Sequence, residues 1–150
     1  MRKISIIGAG NVGGLTALHL ASLGAGEIVL ADKIKGLAQG KALDLKDSAS
    51  FIKQDYRISG TDDISQIKGS QIVVITAGLA RRPDMTREDL LIKNIEIIKD
   101  VASNVKKFAK EAIVIVVSNP VDILTYAAFK ILGFEENKVF GMGISLDASR

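Results

Sequence analysis

The sequence predicts an α/β fold of the doubly wound kind, a parallel sheet with helices on both faces. Three observations carry that expectation. Short β-branched runs recur along the chain, and they are almost wholly apolar instead of alternating with polar positions, as strands buried on two faces require. Patterns of helical period separate these runs. The first run leads directly into a glycine-rich turn, Gly8-Ala9-Gly10-Asn11-Val12-Gly13, from which a helical pattern starts.

In chain order, residues 4–7 form the first strand, and Leu15, Leu18 and Ala21 mark the helix that follows the glycine turn. Strands are expected at residues 28–30, 72–75 and 113–117, with further candidates at 56–59 and 139–140. Thr86 and Asp89 have the spacing of a capping box, in which each side chain satisfies a backbone N–H of the other. Leu91, Ile95, Ile98, Ala102, Val105 and Ala109 then recur at three- and four-residue steps, predicting a helix to about residue 110. Another helix starts after Pro120, whose fixed φ suits a first helical turn, and stops at Gly133, which takes a left-handed conformation at no steric cost. Right-handed crossovers between such strands place ligands in the crevice beyond their carboxyl ends.

A chain of 150 residues with 47% hydrophobic and 25% charged residues suits one domain with its own core. The net charge of +3 is small and dispersed, and with no Trp and only 2 Tyr there is no row of stacking platforms, so nucleic acid is not an expected partner. No cysteine is present, which excludes disulfides, thiolate metal sites and a cysteine nucleophile in this segment and suits a reducing compartment, the cytoplasm by default. Met1-Arg2-Lys3 and the apolar run after it imitate a secretory leader, but the glycines from Gly8 to Gly14 interrupt that run. Nothing approaches the roughly 20 apolar residues of a membrane span, so no membrane association is expected.

In the glycine turn, Gly8 permits the sharp bend, Gly10 lets the backbone approach a pyrophosphate and Gly13 lets the helix pack close to the strand. The helix N-terminus offers N–H groups to the anion. Asp32, at the end of the second strand, falls about twenty residues beyond the motif, where an acid binds the adenosine ribose hydroxyls. Its charge repels a 2′-phosphate, so NAD is favoured over NADP, although Lys33 and Lys35 lie close enough to soften that preference. The competing reading makes Asp32 a solvated strand-end residue.

After the strand at 72–75 comes Thr76-Ala77-Gly78, then a loop in which Arg81, Arg82 and Arg87 lead into the capped helix. Such a loop beside a nucleotide cleft suits a lid over an anionic substrate, against the alternative of solvated surface charge.

At this point the chain resembles the lactate/malate dehydrogenase family, on the side of its lactate-dehydrogenase-like malate dehydrogenases. The resemblance rests on the glycine turn, Thr76-Ala77-Gly78, Arg81-Arg82-Pro83 through Thr86-Arg87, Ser118-Asn119-Pro120-Val121-Asp122 and Leu146-Asp147-Ala148-Ser149-Arg150, in the family's order. It implies a Rossmann domain and reversible hydride transfer between malate or oxaloacetate and NAD. Arg81 matches the residue that pairs with the distal carboxylate, where lactate dehydrogenases have glutamine. A planar guanidinium suits that bidentate contact. Arg87 matches the arginine that polarises the reacting carbonyl, and Arg150 the one that clamps the carboxylate beside it. Asn119 matches an asparagine that bonds substrate and nicotinamide. Thr76, Ala77, Gly78, Asn94, Val117 and Ser118 fall at positions that line the cofactor, with Asn94 equally readable as an ordinary polar residue on a helix. Asp147 matches the aspartate that orients a catalytic histidine.

The chain departs from the family pattern at Asp84, where glycine is usual, which weakens the assignment of a dianionic substrate slightly. His19, the sole histidine, lies in the first helix and reads as a packed or surface residue, since the family's proton-transfer histidine follows the motif ending at Arg150. The expectation is therefore an NAD-binding domain over residues 1–143, with 144–150 opening a catalytic domain that lies beyond the chain, and little activity from this chain alone. Lactate dehydrogenase is the nearest alternative, disfavoured by Arg81. A non-catalytic NAD-sensing module leaves the arginines without purpose, and a methyltransferase is disfavoured by the arginine loop and Asn119. The family's habit of packing through its Rossmann helices implies a homodimer or homotetramer.

Overall fold

The structure is a computed structural model that describes residues 2–51, 55–80, 83–143 and 148. Its elements are β1 (Lys3–Ile7), α1 (Asn11–Ser22), β2 (Glu27–Ala31), α2 (Leu37–Phe51), β3 (Ile58–Thr61), β4 (Ile72–Ile75), α3 (Arg87–Phe108), β5 (Ile113–Val116), α4 (Val121–Leu132) and β6 (Val139–Gly141), with 3-10 turns at Ile64–Ile67 and Glu136–Lys138. Among the described residues the strands form one 6-stranded sheet in the order β3-β2-β1-β4-β5-β6, and every pairing is parallel.

The apolar strands fill both faces because successive side chains point to opposite sides. Ile4 and Ile6 of β1, Ile28 and Leu30 of β2 and Val74 of β4 pack beneath α1 and α2. Ile7, Val73, Ile75, Val114 and Val116 pack on the other face with Ile98, Ala102 and Val105 of α3 and Leu124 and Ala128 of α4. The expected doubly wound arrangement is therefore present, with β1 and β4 flanking the point where strand order reverses.

The helix signals at the two ends of the second half are built as read. Thr86 caps α3 in a reciprocal capping box with Asp89, and Gly133 ends α4 in the left-handed region at φ 64°. Several boundaries and faces differ. Pro120 is the N-cap of α4 and not part of its first turn, β2 stops at Ala31 with Asp32 just beyond it, and β5 stops at Val116. In α1 the buried positions are Gly13, Ala17 and Ala21, while Leu15 faces outward, because only small residues fit between this helix and the sheet.

Candidate functional site

The carboxyl ends of β1, β2, β4 and β5 converge on one edge of the sheet, and the chain segments that leave them form the rim of a crevice at the switch point. A separate cavity of about 520 Å³, lined by Glu27, Lys46, Tyr56 and Arg57 among others, opens by the amino ends of β2 and β3. Strand order, not cavity size, therefore locates the site.

The glycine turn connects β1 to α1. Gly8 has φ 112°, a conformation L side chains rarely adopt, and a Cβ there would lie 2.6 Å from the Ala77 backbone nitrogen. A Cβ on Gly13 would strike the Gly8 carbonyl oxygen and come within 2.8 Å of Thr76 Oγ1, which itself donates to the Gly8 oxygen at 2.9 Å. Gly8 and Gly13 are thus packing glycines, pressed against the Thr76–Ala77 backbone and side chain.

Gly10 differs from both, because among the described residues, its own chain neighbours apart, no atom lies within 4 Å of where its Cβ would be. It is the N-cap of α1, with no side chain capping the helix and no acid in the first turn. The N–H groups of Asn11, Val12 and Gly13 have no intrahelical acceptor, the first such bond running from the Gly14 N–H to Gly10 O at 2.9 Å, and Asn11 and Val12 are exposed. Open space before an uncapped, positively polarised helix end fits the pyrophosphate of a dinucleotide.

Asp32 is half-buried and already engaged. Its Oδ2 accepts from the Ala9 N–H at 2.7 Å and its Oδ1 from the Ile34 N–H at 2.9 Å, so one carboxylate ties the glycine turn to the end of β2. A carboxylate accepts more than two hydrogen bonds, which leaves capacity for ribose hydroxyls. Lys33 and Lys35 are exposed beside it.

The opposite rim is built from the ends of β4 and β5. Buried Ser118 donates through Oγ to the Ala77 carbonyl at 2.7 Å, and the Val117 N–H donates to Ile75 O at 2.9 Å. Gly78 is exposed and Val117 half-buried. Asn94, on α3, is only 2% exposed. Its Oδ1 accepts from the Leu79 N–H at 2.8 Å, while Nδ2 donates to Asn119 O at 3.0 Å and reaches Leu79 O at 3.4 Å. Asn94 is therefore neither a solvated helix residue nor a freely offered amide, since it holds two rim segments together. Asn119 is exposed, with its carbonyl taken by Asn94.

Arg87 is the first residue of α3 and is exposed, as is Asp84 before it. The Thr86 hydroxyl, and then the Thr86 N–H, hold the Asp89 carboxyl below its usual range, with Lys93 a smaller contribution. Arg81, Arg82, Asp147 and Arg150 lie outside the described residues. His19 is exposed on α1, about two turns from its start. Among the described residues no three His, Cys, Asp or Glu side chains group as a metal site, and no helix is long and apolar enough to cross a membrane. The sequence reading missed Lys41 of α2, whose ammonium donates to Gly10 O at 3.1 Å, because the two residues are 31 positions apart and meet only once α1 and α2 share a face.

Residues 2–141 match the family model described as lactate/malate dehydrogenase, NAD binding domain. The chain belongs to this family. It is 54% identical to the malate dehydrogenase of Methanosarcina mazei over 150 residues, which is 100% of the chain and 49% of that relative. The solved malate dehydrogenase of Archaeoglobus fulgidus in complex with NADH is 44% identical, with a TM-score of 0.93 over 98% of the chain and 50% of its own. The lactate dehydrogenase of Cryptosporidium parvum, solved with lactic acid and nicotinamide adenine dinucleotide, is 39% identical with a TM-score of 0.88 over 95% of the chain and 45% of its own. The chain thus spans about half the length of the relatives it matches. Family membership makes the chain an NAD-binding domain.

Proposed function

We propose that the chain is the NAD-binding half of a malate dehydrogenase that transfers hydride reversibly between malate or oxaloacetate and NAD. The observation that carries this reading is 54% identity to a malate dehydrogenase along the whole chain. Arg81 in the loop after β4 agrees with it, because a substrate with a second carboxylate gives that guanidinium a partner, whereas a methyl group leaves its charge unpaired.

In this reading the α1 N-terminus and the turn from Gly8 to Gly13 hold the pyrophosphate, and Asp32 holds the adenosine ribose. Thr76, Ala77, Gly78, Val117, Ser118 and Asn119 line the nicotinamide side, with Asn94 keeping those segments in register. Bound NAD supplies the hydride acceptor or donor. Arg81 and Arg150 bind the two substrate carboxylates, and Arg87, carried in at the start of α3, stabilises charge developing on the reacting oxygen. Asp147 orients a proton-transfer histidine other than His19, which stands exposed on α1 about two turns from the glycine turn. Residues 1–143 then form the cofactor domain and 144–150 lead into the catalytic one, within a cytoplasmic homo-oligomer.

The test is NADH fluorescence titration of the chain, followed by NADH oxidation with oxaloacetate or pyruvate by the protein extended to the length of its relatives. Saturable NADH binding and a preference for oxaloacetate are expected. A preference for pyruvate would assign the chain to a lactate dehydrogenase instead, and absence of NADH binding would refute the cofactor site.

A further inference from the structure

Lys41 belongs to α2, yet its side chain crosses to the glycine turn and its ammonium donates to Gly10 O at 3.1 Å. The lysine side chain runs over Gly14, where a Cβ would stand in ordinary contact with it, 3.4 Å from Lys41 Nζ and 3.5 Å from Cδ. An ammonium has three donors, and one is accounted for by Gly10. Among the described residues no carboxylate pairs with Lys41. The α1 terminus also offers no acid in its first turn to balance the charge.

The placement opposes the local field. The N-terminus of a helix is the positive end of its dipole, where cations are disfavoured and anions stabilised. Among the described residues the lysine held at that end has a carbonyl but no carboxylate as partner, and a diphosphate bridging the open space at Gly10 would supply the anion.

We propose that Lys41 is a binding residue of the dinucleotide site, hinged on the Gly10 carbonyl and supplying the cation for the cofactor's pyrophosphate. This rests on NAD binding at the Gly8–Gly13 turn. Charge and position act together: the hydrogen bond to Gly10 O keeps the ammonium beside the glycine that, unlike Gly8 and Gly13 of the same turn, leaves open space where a side chain would be, and its remaining donors are left for an incoming phosphate.

The test is equilibrium binding of NADH, ADP-ribose and adenosine to the chain, to Lys41→Gln and to Lys41→Arg, at low and high salt. Loss of one charge-assisted hydrogen bond predicts about tenfold weaker binding of NADH and ADP-ribose by Lys41→Gln. Adenosine, which lacks phosphate, should bind all three proteins equally. Lys41→Arg should restore most of the loss, and the salt dependence of NADH binding should shrink in Lys41→Gln. Unchanged NADH affinity in Lys41→Gln overturns the proposal alone, as does an equal loss for adenosine, which would reduce Lys41 to shaping the turn. Failure of the unaltered chain to bind NADH overturns the cofactor reading and this proposal with it.

Discussion

The Asn94 side-chain amide donates to the Asn119 carbonyl at 3.0 Å while its oxygen accepts from the Leu79 N–H at 2.8 Å, so one buried residue of α3 ties the segments that follow β4 and β5. Those segments hold Thr76 to Gly78 and Val117 to Asn119, the proposed nicotinamide rim. Asn94→Leu leaves part-buried backbone groups of Leu79 and Asn119 without this partner and should destabilise the chain by about 1–2 kcal/mol. Urea denaturation measures that loss. A parallel NADH titration should show weakened affinity in the same variant, and an unchanged dissociation constant would confine Asn94 to a purely structural role.

Two glycines of the same turn should respond oppositely to the same substitution. Gly13→Ala drives a methyl group into the Gly8 carbonyl and Thr76, and should cost about 1–3 kcal/mol of stability. Gly10→Ala meets no atom of the described residues beyond its chain neighbours and changes only the helix N-cap, costing no more than about 1 kcal/mol. It should nevertheless weaken NADH binding at least about tenfold, because the methyl group occupies the space assigned to the pyrophosphate. Comparable thermal stability of the two variants, or normal NADH affinity in Gly10→Ala, would be inconsistent with this division.

Asp32→Asn removes a charge while preserving shape. NADH affinity should fall as the ribose contact weakens, and NADPH should gain relative to NADH because the repulsion of a 2′-phosphate is gone, with Lys33 and Lys35 exposed nearby. Titration with both nucleotides reads the ratio, and a ratio equal to that of the unaltered chain would exclude Asp32 from cofactor selection.

Acid should loosen the start of α3. The Asp89 carboxyl is held low first by the Thr86 hydroxyl and then by the Thr86 N–H. A folded-state value below the unfolded one, about 3.9 for aspartate, means the folded chain binds fewer protons. The stabilisation is thus fully present above that value and is lost as pH falls through the lower folded one. The stability difference between the chain and Asp89→Asn should therefore shrink as pH drops below about 4. Thr86→Ala should cost about 1 kcal/mol at neutral pH and weaken that pH dependence, since the backbone N–H of residue 86 is retained. A difference that stays constant into acid would remove the capping box from the account.

Legibility in the sequence followed the kind of signal involved. The strands at Ile72–Ile75 and Ile113–Val116 announced themselves because two-sided burial demands unbroken Val and Ile, and the Thr86–Asp89 cap and Gly133 are local chemistry. Helix α2 had no apolar stripe to read, because its core face is Ala38, Ala42 and Ala49, small enough for close packing on the sheet. Leu15 misled for the converse reason, being a large residue left outside while Ala17 is buried. In the site, the glycine turn and Asp32 were visible as a motif. The double duty of Asp32 on Ala9, the tie made by Asn94 and the reach of Lys41 were not, since each depends on segments that meet only in the folded sheet.

The central claim is that the crevice between β1 and β4 binds NAD through the turn from Gly8 to Gly13. Titration of the purified chain with NADH, followed by nicotinamide fluorescence and repeated with Gly10→Ala, tests it most directly. The account predicts saturable one-to-one binding that the substitution weakens at least about tenfold while the fold is retained. No saturable binding by the unaltered chain, or equal binding by both proteins, would contradict it.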